Sequence, residues 1–292
     1  MRFAIVGRKL VPEAEAVLSA SDRGLLFGDG LFETVRAYGG RLPLWEEHWA
    51  RLRRSAGFLG IPLPAADPHA LALRLLEANE LSEGSVRVTL TRGAPREDVP
   101  APRPEPPERA LLPTLLLHAR PLRPDLEELR AGGISGRRAP WPLRARGLPL
   151  QGHKTLAYLG SVLALARAAA GEEPILETTE GHLAETATGN LFWRQGGEIR
   201  TPSLDSGCLP GVARSIVLRA AGALGIPVRE GLFPVDDLRQ SEEALLTNAV
   251  QEVIPLVRFE GAPVGQGSPG PVTVLLQNAY RREVASRLGE PA

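Results

Sequence analysis

The sequence Lys154-Thr-Leu-Ala-Tyr-Leu159 lies where two local patterns meet. Residues 147–153 before it read as an extended run, and residues 155–170 show the apolar spacing of a helix. A lysine at such a junction can hold an aldehyde cofactor, because a deprotonated amine forms an imine with a carbonyl. An isolated lysine at a helix start would instead be a solvated side chain, so the assignment depends on the rest of the sequence.

Two stretches downstream of Lys154 add a carboxylate and a helix start. The run Ala184-Glu-Thr-Ala-Thr-Gly-Asn190 contains Glu185, whose carboxylate would keep a pyridine nitrogen protonated. The turn Leu209-Pro-Gly-Val-Ala213 opens a helix, and the first N–H groups of a helix bind phosphate. With Lys154 as the amine of a Schiff base, these features predict a site for pyridoxal 5'-phosphate (PLP).

The order of these stretches resembles that of the class IV aminotransferase family, also called fold type IV PLP enzymes. Two upstream stretches share in the resemblance, Asp22-Arg-Gly-Leu-Leu-Phe-Gly-Asp-Gly-Leu-Phe-Glu-Thr34 and Glu47-His-Trp-Ala-Arg-Leu52. The resemblance spans most of the chain. It implies a two-domain α+β (mixed α/β) enzyme, similar to D-amino-acid aminotransferases, that uses PLP.

The resemblance also implies roles for particular residues. Lys154 would be the catalytic residue, Arg51 and the backbone N–H groups of Val212 and Ala213 would bind the phosphate, and Tyr158 would hydrogen-bond the phenolic oxygen of the cofactor. The full cofactor-binding set implied in this way is Arg51, Lys154, Tyr158, Glu185, Leu209, Val212, Ala213, Asn248 and Ala249. No spacing of the five histidines suits a metal ion, so no metal is expected.

The chain departs from its family pattern at two positions. Many relatives have Thr or Ser at position 213, and branched-chain aminotransferases have Thr at position 249, so Ala213 and Ala249 offer no hydroxyl. Asn248 is a candidate to compensate. Two roles also stay open on sequence grounds: Tyr158 could pack on an apolar helix stripe, and Arg51 could be a solvated helix arginine.

Composition limits the class of protein and of ligand. The 292 residues suffice for two modest domains, and the 34 basic and 34 acidic residues cancel. A neutral chain gives no support to nucleic-acid or membrane-surface binding, so a small molecule is expected. The single cysteine, Cys208, and an opening without a signal-peptide pattern suggest a cytoplasmic protein.

Strand-like and helical runs alternate in both halves of the sequence. A hairpin is predicted from residue 31 to residue 44, and a long proline-rich loop is predicted at residues 93–109. Residues 121–133 contain two prolines and no strong apolar period. We therefore predict a small N-terminal domain (1–120), a linker (121–133) and a larger PLP-binding domain (134–292).

Two reactions fit the resemblance, amino transfer between a small amino acid and a 2-oxo acid, and the 4-amino-4-deoxychorismate lyase reaction, which forms 4-aminobenzoate and pyruvate. Tyr158 and Glu252-Val253 resemble the aminotransferases, whereas Thr34 and Thr247-Asn248 resemble the lyases. Aminotransferase is the main prediction. A non-catalytic PLP-binding protein is a third hypothesis, which the presence of Lys154 disfavours.

The candidate substrate-binding residues are Phe32, Thr34, Arg36, Arg87 and Arg96. In D-amino-acid transaminases an arginine like Arg96 binds the substrate carboxylate from the neighbouring subunit, with a histidine two residues later. Here that position is Asp98, which weakens the D-amino-acid interpretation. The resemblance implies a homodimer in which the loop with Arg96 reaches its neighbour.

Overall fold

The computed structural model describes residues 1–95 and 112–289. The chain divides into two compact units. Unit 1 comprises Met1–Leu122 and His153–Ala157, and unit 2 comprises Arg123–Gly152 and Tyr158–Ala292. Both contain helices and a sheet, and the expected mixed α/β class is confirmed.

Unit 1 is built on an antiparallel five-stranded sheet. Its elements are β1 (Phe3–Val6), β2 (Lys9–Pro12), α1 (Arg23–Phe27), β3 (Gly30–Ala37), α2 (Trp45–Leu59), α3 (Pro68–Ala78), β4 (Gly84–Thr91) and β5 (Thr114–Pro121). The strand order is β2-β1-β5-β4-β3. Strand β3 is therefore an edge strand of this sheet, and it pairs with β4 along its whole length.

Alternation along β3 separates a core face from a second face. Leu31, Val35 and Ala37 belong to the apolar core, in which Leu52 and Ala56 of α2 also lie. Helix α2 ends at Gly60, which adopts a left-handed conformation (φ 64°) as a C-terminal cap. The residues between the core positions of β3 point to the other face, and they include Phe32, Thr34 and Arg36.

Unit 2 is built on a nine-stranded mixed sheet. Its elements are α4 (Leu126–Gly132), β6 (Ile134–Arg138), α5 (Leu159–Arg167), β7 (Glu172–Glu177), β8 (Leu183–Thr186), β9 (Asn190–Gln195), β10 (Glu198–Pro202), α6 (Val212–Ala223), β11 (Val228–Gly231), α7 (Val235–Arg239), β12 (Glu243–Asn248), β13 (Glu252–Phe259), β14 (Ala262–Pro263) and α8 (Pro271–Arg287). The strand order is β11-β10-β9-β12-β13-β6-β7-β8, with β14 on β13. Within the described residues no helix is long and apolar enough to cross a membrane.

Several local predictions differ from the structure. Residues 147–153 form turns, and the helix predicted at 155–170 begins only at Leu159, as α5. The predicted linker contains α4, and the hairpin predicted to run to residue 44 is limited to one bridge between Tyr38 and Arg41. Of the predicted loop at 93–109, residues 96–109 lie outside the described part of the chain, Arg96 and Asp98 among them.

Candidate active site

Lys154 lies in a short extended segment that pairs with the start of β3. The Phe32 N–H donates to the Lys154 carbonyl (3.0 Å), and the Leu156 N–H donates to the Gly30 carbonyl (3.0 Å). A bridge between Leu31 and Thr155 completes the pairing. Backbone pairing with an edge strand therefore replaces the helix that the apolar spacing predicted, and it fixes the lysine segment beside the start of β3.

The Lys154 amine lies over an aromatic ring that also contacts an arginine. Its Nζ is 4.5 Å from the centroid of Phe32, and the Arg87 guanidinium carbon is 3.6 Å from the same centroid. The sequence contains one other lysine, Lys9, which is exposed on β2. Lys154, which is half-buried, is thus the lysine whose surroundings differ from solvent.

The structure brings four of the predicted substrate-binding residues to one face of β3 and β4. Thr34 lies directly opposite Arg87, and Phe32 and Arg36 lie two residues to either side of Thr34. Arg36 is buried, stacks on Tyr38 with its guanidinium carbon 4.5 Å from the ring centroid, and pairs with Glu83 (3.6 Å). Of the two arginines on this face, Arg87 is the one that contacts the same ring as Lys154, that of Phe32.

Arg51 is buried and held by a carboxylate. Its Nε and Nη2 donate to Glu33 (both 2.7 Å), and the Nδ1 of His48 lies 2.8 Å from the same carboxylate. Burial by itself would raise the pKa of Glu33, but Arg51 and His48 outweigh it and lower the pKa to about 2. The solvated-helix interpretation is therefore wrong for Arg51, although Arg53 and Arg54 are exposed.

The pKa of the buried His48 depends on the charges around it. Burial lowers the pKa of His48, and the charges of Arg51 and Lys154 lower it further, against the opposing effect of Glu33. His48 is therefore neutral at pH 7 and donates its Nδ1 proton to Glu33.

In unit 2 Glu185 lies on β8 with both carboxylate oxygens engaged. The Nε of Arg144 donates to Oε1 (2.7 Å), and the Leu209 N–H donates to Oε2 (3.0 Å). The Nδ2 of Asn190 in turn donates to the Leu209 carbonyl (2.8 Å). A hydrogen bond therefore joins Glu185 to Leu209, and Arg144 forms an ion pair with the same carboxylate.

The start of α6 lies in a close-packed corner. Its N-cap residue is Gly211, and within the described residues no side chain caps the N–H groups of this first turn, which include those of Val212 and Ala213. A Cβ at Gly211 would lie 2.1 Å from the Oδ1 of Asn190, so a larger residue there would displace the Asn190 side chain. Thr247, paired with Asn190 across β12 and β9, has a buried hydroxyl with no hydrogen-bond partner among the described residues.

Tyr158 is the N-cap residue of α5, and its hydroxyl donates to the Ala187 carbonyl. Burial raises the pKa of Tyr158, and the charges of Glu185 and Glu173 raise it further. The stripe on which it was expected to pack does not form a core, since Leu159 is 77% exposed and Leu163 is 42% exposed. The packing interpretation of Tyr158 is therefore wrong.

Asn248 and Ala249 lie at the end of β12, where the chain turns into β13. The Oδ1 of Asn248 accepts from the N–H groups of Val250 (3.0 Å) and Gln251 (2.8 Å), and its Nδ2 donates to the Gln251 side chain (2.7 Å). The Asn248 side chain thus stabilises its own turn. Ala249 is half-buried in that turn.

Sequence reasoning missed three residues that orient the predicted ones. Arg144 holds Glu185, Asn190 holds Leu209, and Glu33 holds Arg51. Asn190 and Glu33 stand inside stretches singled out from the sequence, whereas Arg144 carries no local signal. Among the described residues, no group of His, Cys, Asp and Glu side chains could hold a metal ion.

Comparison with known proteins gives the family. The sequence-family model of the class IV aminotransferases matches residues 30–259 of this chain. A D-alanine aminotransferase of Staphylococcus aureus (strain MW2) is 31% identical, over 98% of this chain and 99% of its own. An aminodeoxychorismate lyase of Bacillus subtilis (strain 168) is 32% identical, over 98% and 96%.

The fold agrees with solved structures of the family. The T.th. branched-chain amino acid aminotransferase with pyridoxamine 5'-phosphate superposes with a TM-score of 0.86 at 26% identity, over 98% of this chain and 95% of its own. The resemblance inferred from the sequence is therefore confirmed, as is the PLP cofactor that goes with it. The chain belongs to the class IV aminotransferases, a family of PLP-dependent enzymes that act on amino acids and 2-oxo acids.

Proposed function

We propose that this enzyme transfers an amino group between a small amino acid and a 2-oxo acid. The observation that carries the proposal is the shared ring of Phe32, which has the Lys154 amine at 4.5 Å and the Arg87 guanidinium at 3.6 Å from its centroid. An amine that can take a proton and a guanidinium that can bind a carboxylate are the two groups that an amino-acid substrate requires.

The residues that the family resemblance assigns to PLP have the chemistry that the cofactor requires. The Lys154 amine would take the aldehyde, and the buried Arg51 would bind the phosphate. The Glu185 carboxylate would face the pyridine nitrogen. Within the described residues no side chain caps the start of α6 and the Thr247 hydroxyl has no hydrogen-bond partner, so these groups would be further phosphate donors in place of the hydroxyls that Ala213 and Ala249 lack.

In the proposed reaction, Lys154, Glu185 and Arg87 have different roles. Bound PLP supplies an electron sink for bond cleavage beside the amino group. With PLP bound, Lys154 would take and return the proton at the substrate carbon, and Glu185, whose carboxylate is fixed by Arg144 and the Leu209 N–H, would hold the proton of the pyridine nitrogen. Arg87 binds the substrate carboxylate, and Thr34, opposite it, lines the same face.

The second candidate is an aminodeoxychorismate lyase. It is favoured by the Thr247-Asn248 pair, in which Asn248 stabilises the turn after β12, and by the 32% identity to the lyase of Bacillus subtilis. Both candidates use the same cofactor residues. They differ in whether the amino group leaves the substrate, so the products separate them.

One assay distinguishes these reactions. Purified enzyme with PLP is supplied with isotope-labelled L- and D-amino acids and a panel of 2-oxo acids, and in parallel with aminodeoxychorismate. Transfer of the labelled nitrogen to the 2-oxo acid supports the proposal and identifies the donor and its handedness. Formation of 4-aminobenzoate and pyruvate without nitrogen transfer assigns the lyase instead, and bound PLP without turnover of any substrate leaves only a non-catalytic PLP-binding protein.

We also propose that the enzyme is a cytoplasmic homodimer. Helix α5 buries the small residues Ser161 and Ala164 and exposes Leu159, Val162 and Leu163, which is the reverse of a helix that packs only on its own chain. A second copy of the chain would cover that apolar face. By the family resemblance, Arg96 would then bind substrate carboxylate in the neighbouring subunit, and the single cysteine agrees with a reducing compartment.

A further inference from the structure

Glu173 is a half-buried carboxylate that no part of the proposed chemistry uses. It lies on β7, and its Oε1 accepts both the N–H and the hydroxyl of Thr188 (2.8 Å each). Its neighbour Glu172 forms an exposed ion pair with Arg137 (2.7 Å). Within the described part of the chain, no cationic side chain forms an ion pair with Glu173, so the turn that contains Thr188 is what satisfies it.

That turn follows β8 directly and is closed by its own hydrogen bonds. The Thr186 N–H donates to the Gly189 carbonyl (2.7 Å), and the Gly189 N–H donates to the Thr186 hydroxyl (2.8 Å). The Ala187 N–H donates to the carbonyl of Pro174, the residue after Glu173 (2.9 Å). Hydrogen bonds thus join residues 186–189 to the start of β7, one from the Ala187 N–H to the Pro174 carbonyl and two from Thr188 to the Glu173 side chain.

The Ala187 carbonyl, in the middle of this turn, accepts the hydroxyl of Tyr158. Ser161, in the first turn of α5, lowers the pKa of Tyr158, against the effect of burial. The charged groups that act on the phenol are Glu185, Glu173 and Arg144. Glu173 therefore affects Tyr158 in two ways. It holds the turn whose Ala187 carbonyl accepts the Tyr158 hydroxyl, and its charge raises the pKa of the phenol.

We propose that Glu173 is a positioning residue, which through the turn 186–189 holds the Ala187 carbonyl in place and so fixes the hydroxyl of Tyr158. The consequence for the cofactor rests on the proposed function, in which Tyr158 hydrogen-bonds the phenolic oxygen of PLP. The coupling between Glu173 and Tyr158 does not, because it belongs to the protein alone.

The test uses apoprotein in which the three tyrosines are replaced by fluorotyrosine, and Tyr158→Phe identifies the fluorine NMR signal of Tyr158. Glu173→Gln keeps an acceptor oxygen but removes the charge, so the Tyr158 phenol should ionise at lower pH than in the wild type. Glu173→Ala removes the acceptor, so the Tyr158 signal should move and broaden. Thr188→Val, which removes one donor and keeps the N–H, should move the signal by a smaller amount.

The matched control is Glu172→Gln, which changes the adjacent carboxylate on the same strand and should leave the Tyr158 signal unchanged. Unchanged ionisation in Glu173→Gln together with an unmoved signal in Thr188→Val overturns the proposal, whether or not Glu173→Ala folds. For the holoenzyme, Glu173→Ala should raise the PLP dissociation constant about two- to tenfold, the range expected for one weakened hydrogen bond. If apoprotein signals respond but PLP does not bind the wild type, the proposed function fails and the coupling stands.

Discussion

Two groups donate hydrogen bonds to the Glu185 carboxylate, Arg144 and the Leu209 N–H. The change Glu185→Gln should leave PLP bound but slow proton removal from the substrate, since a neutral amide cannot hold a proton on the pyridine nitrogen. Losing one charge-assisted bond costs on the order of 2 kcal/mol, or about thirtyfold in kcat. Steady-state kinetics and PLP titration check this, with the exposed Glu180→Gln as the control; equal kcat in both variants would remove Glu185 from the mechanism.

Glu33 gives a prediction about acid stability. Its pKa is about 2 in the folded protein and 4.5 when unperturbed, so its ionised form stabilises the fold above pH 4.5, and this contribution is lost as the pH falls towards 2. The shift corresponds to stabilisation on the order of 3 kcal/mol. Urea unfolding of wild type and Glu33→Gln should therefore differ at pH 7 and converge between pH 4.5 and 2. A difference that does not depend on pH would show that packing, not ionisation, is responsible.

At the scale of elements, the segment that carries the lysine shows where sequence patterns stop being sufficient. The apolar spacing after Lys154 fits a helix, yet backbone bonds to Gly30 and Phe32 keep residues 154–156 extended. Those bonds join residues more than a hundred positions apart, and no local pattern reports them. Helices α2, α6 and α8, whose apolar faces, caps and stops are local, could be placed from sequence.

The same distinction applies to the site. Lys154, Glu185 and the α6 start could be proposed from the sequence because each lies in a local motif. Arg144 could not, since its partner Glu185 is 41 residues away and an arginine among many carries no signal. Phe32 of β3 and Arg87 of β4 lie on the same face because of the β3–β4 register. The alternation of residues indicated the two faces of β3, but it did not identify β4 as the strand that pairs with it.

Gly30 tests the pairing between β3 and the lysine segment. A Cβ there would lie 2.7 Å from the Leu90 carbonyl and 2.7 Å from the Leu156 side chain, so Gly30→Ala must relieve both contacts. We expect it to lower the free energy of unfolding by about 1–3 kcal/mol and to weaken PLP binding. The control is Gly57→Ala, at an open position within α2, which should stabilise by about 0.5–1 kcal/mol. Equal effects in chemical denaturation would contradict the pairing.

For the whole molecule, the exposed face of α5 predicts assembly. Sedimentation should find a dimer for the wild type, and Leu159→Arg should shift it towards monomer because a charge cannot be buried there without a partner. The control is Leu73→Arg, at an exposed leucine of α3, which should leave the dimer intact.

Mixing Arg96→Ala with Lys154→Ala subunits should restore activity in the heterodimer. An active monomer, or heterodimers without activity, would refute the shared site.

The central claim, that this chain is a PLP enzyme whose cofactor is held by Lys154, has a direct chemical test. The sequence offers two lysines, Lys9 and Lys154, so borohydride reduction of the holoenzyme followed by peptide mapping has few possible outcomes. Lys154 lies over Phe32, whereas Lys9 is exposed on β2, and the account predicts the reduced cofactor on the peptide with Lys154. Reduced cofactor on Lys9 alone, or on neither lysine after reconstitution with PLP, would contradict it.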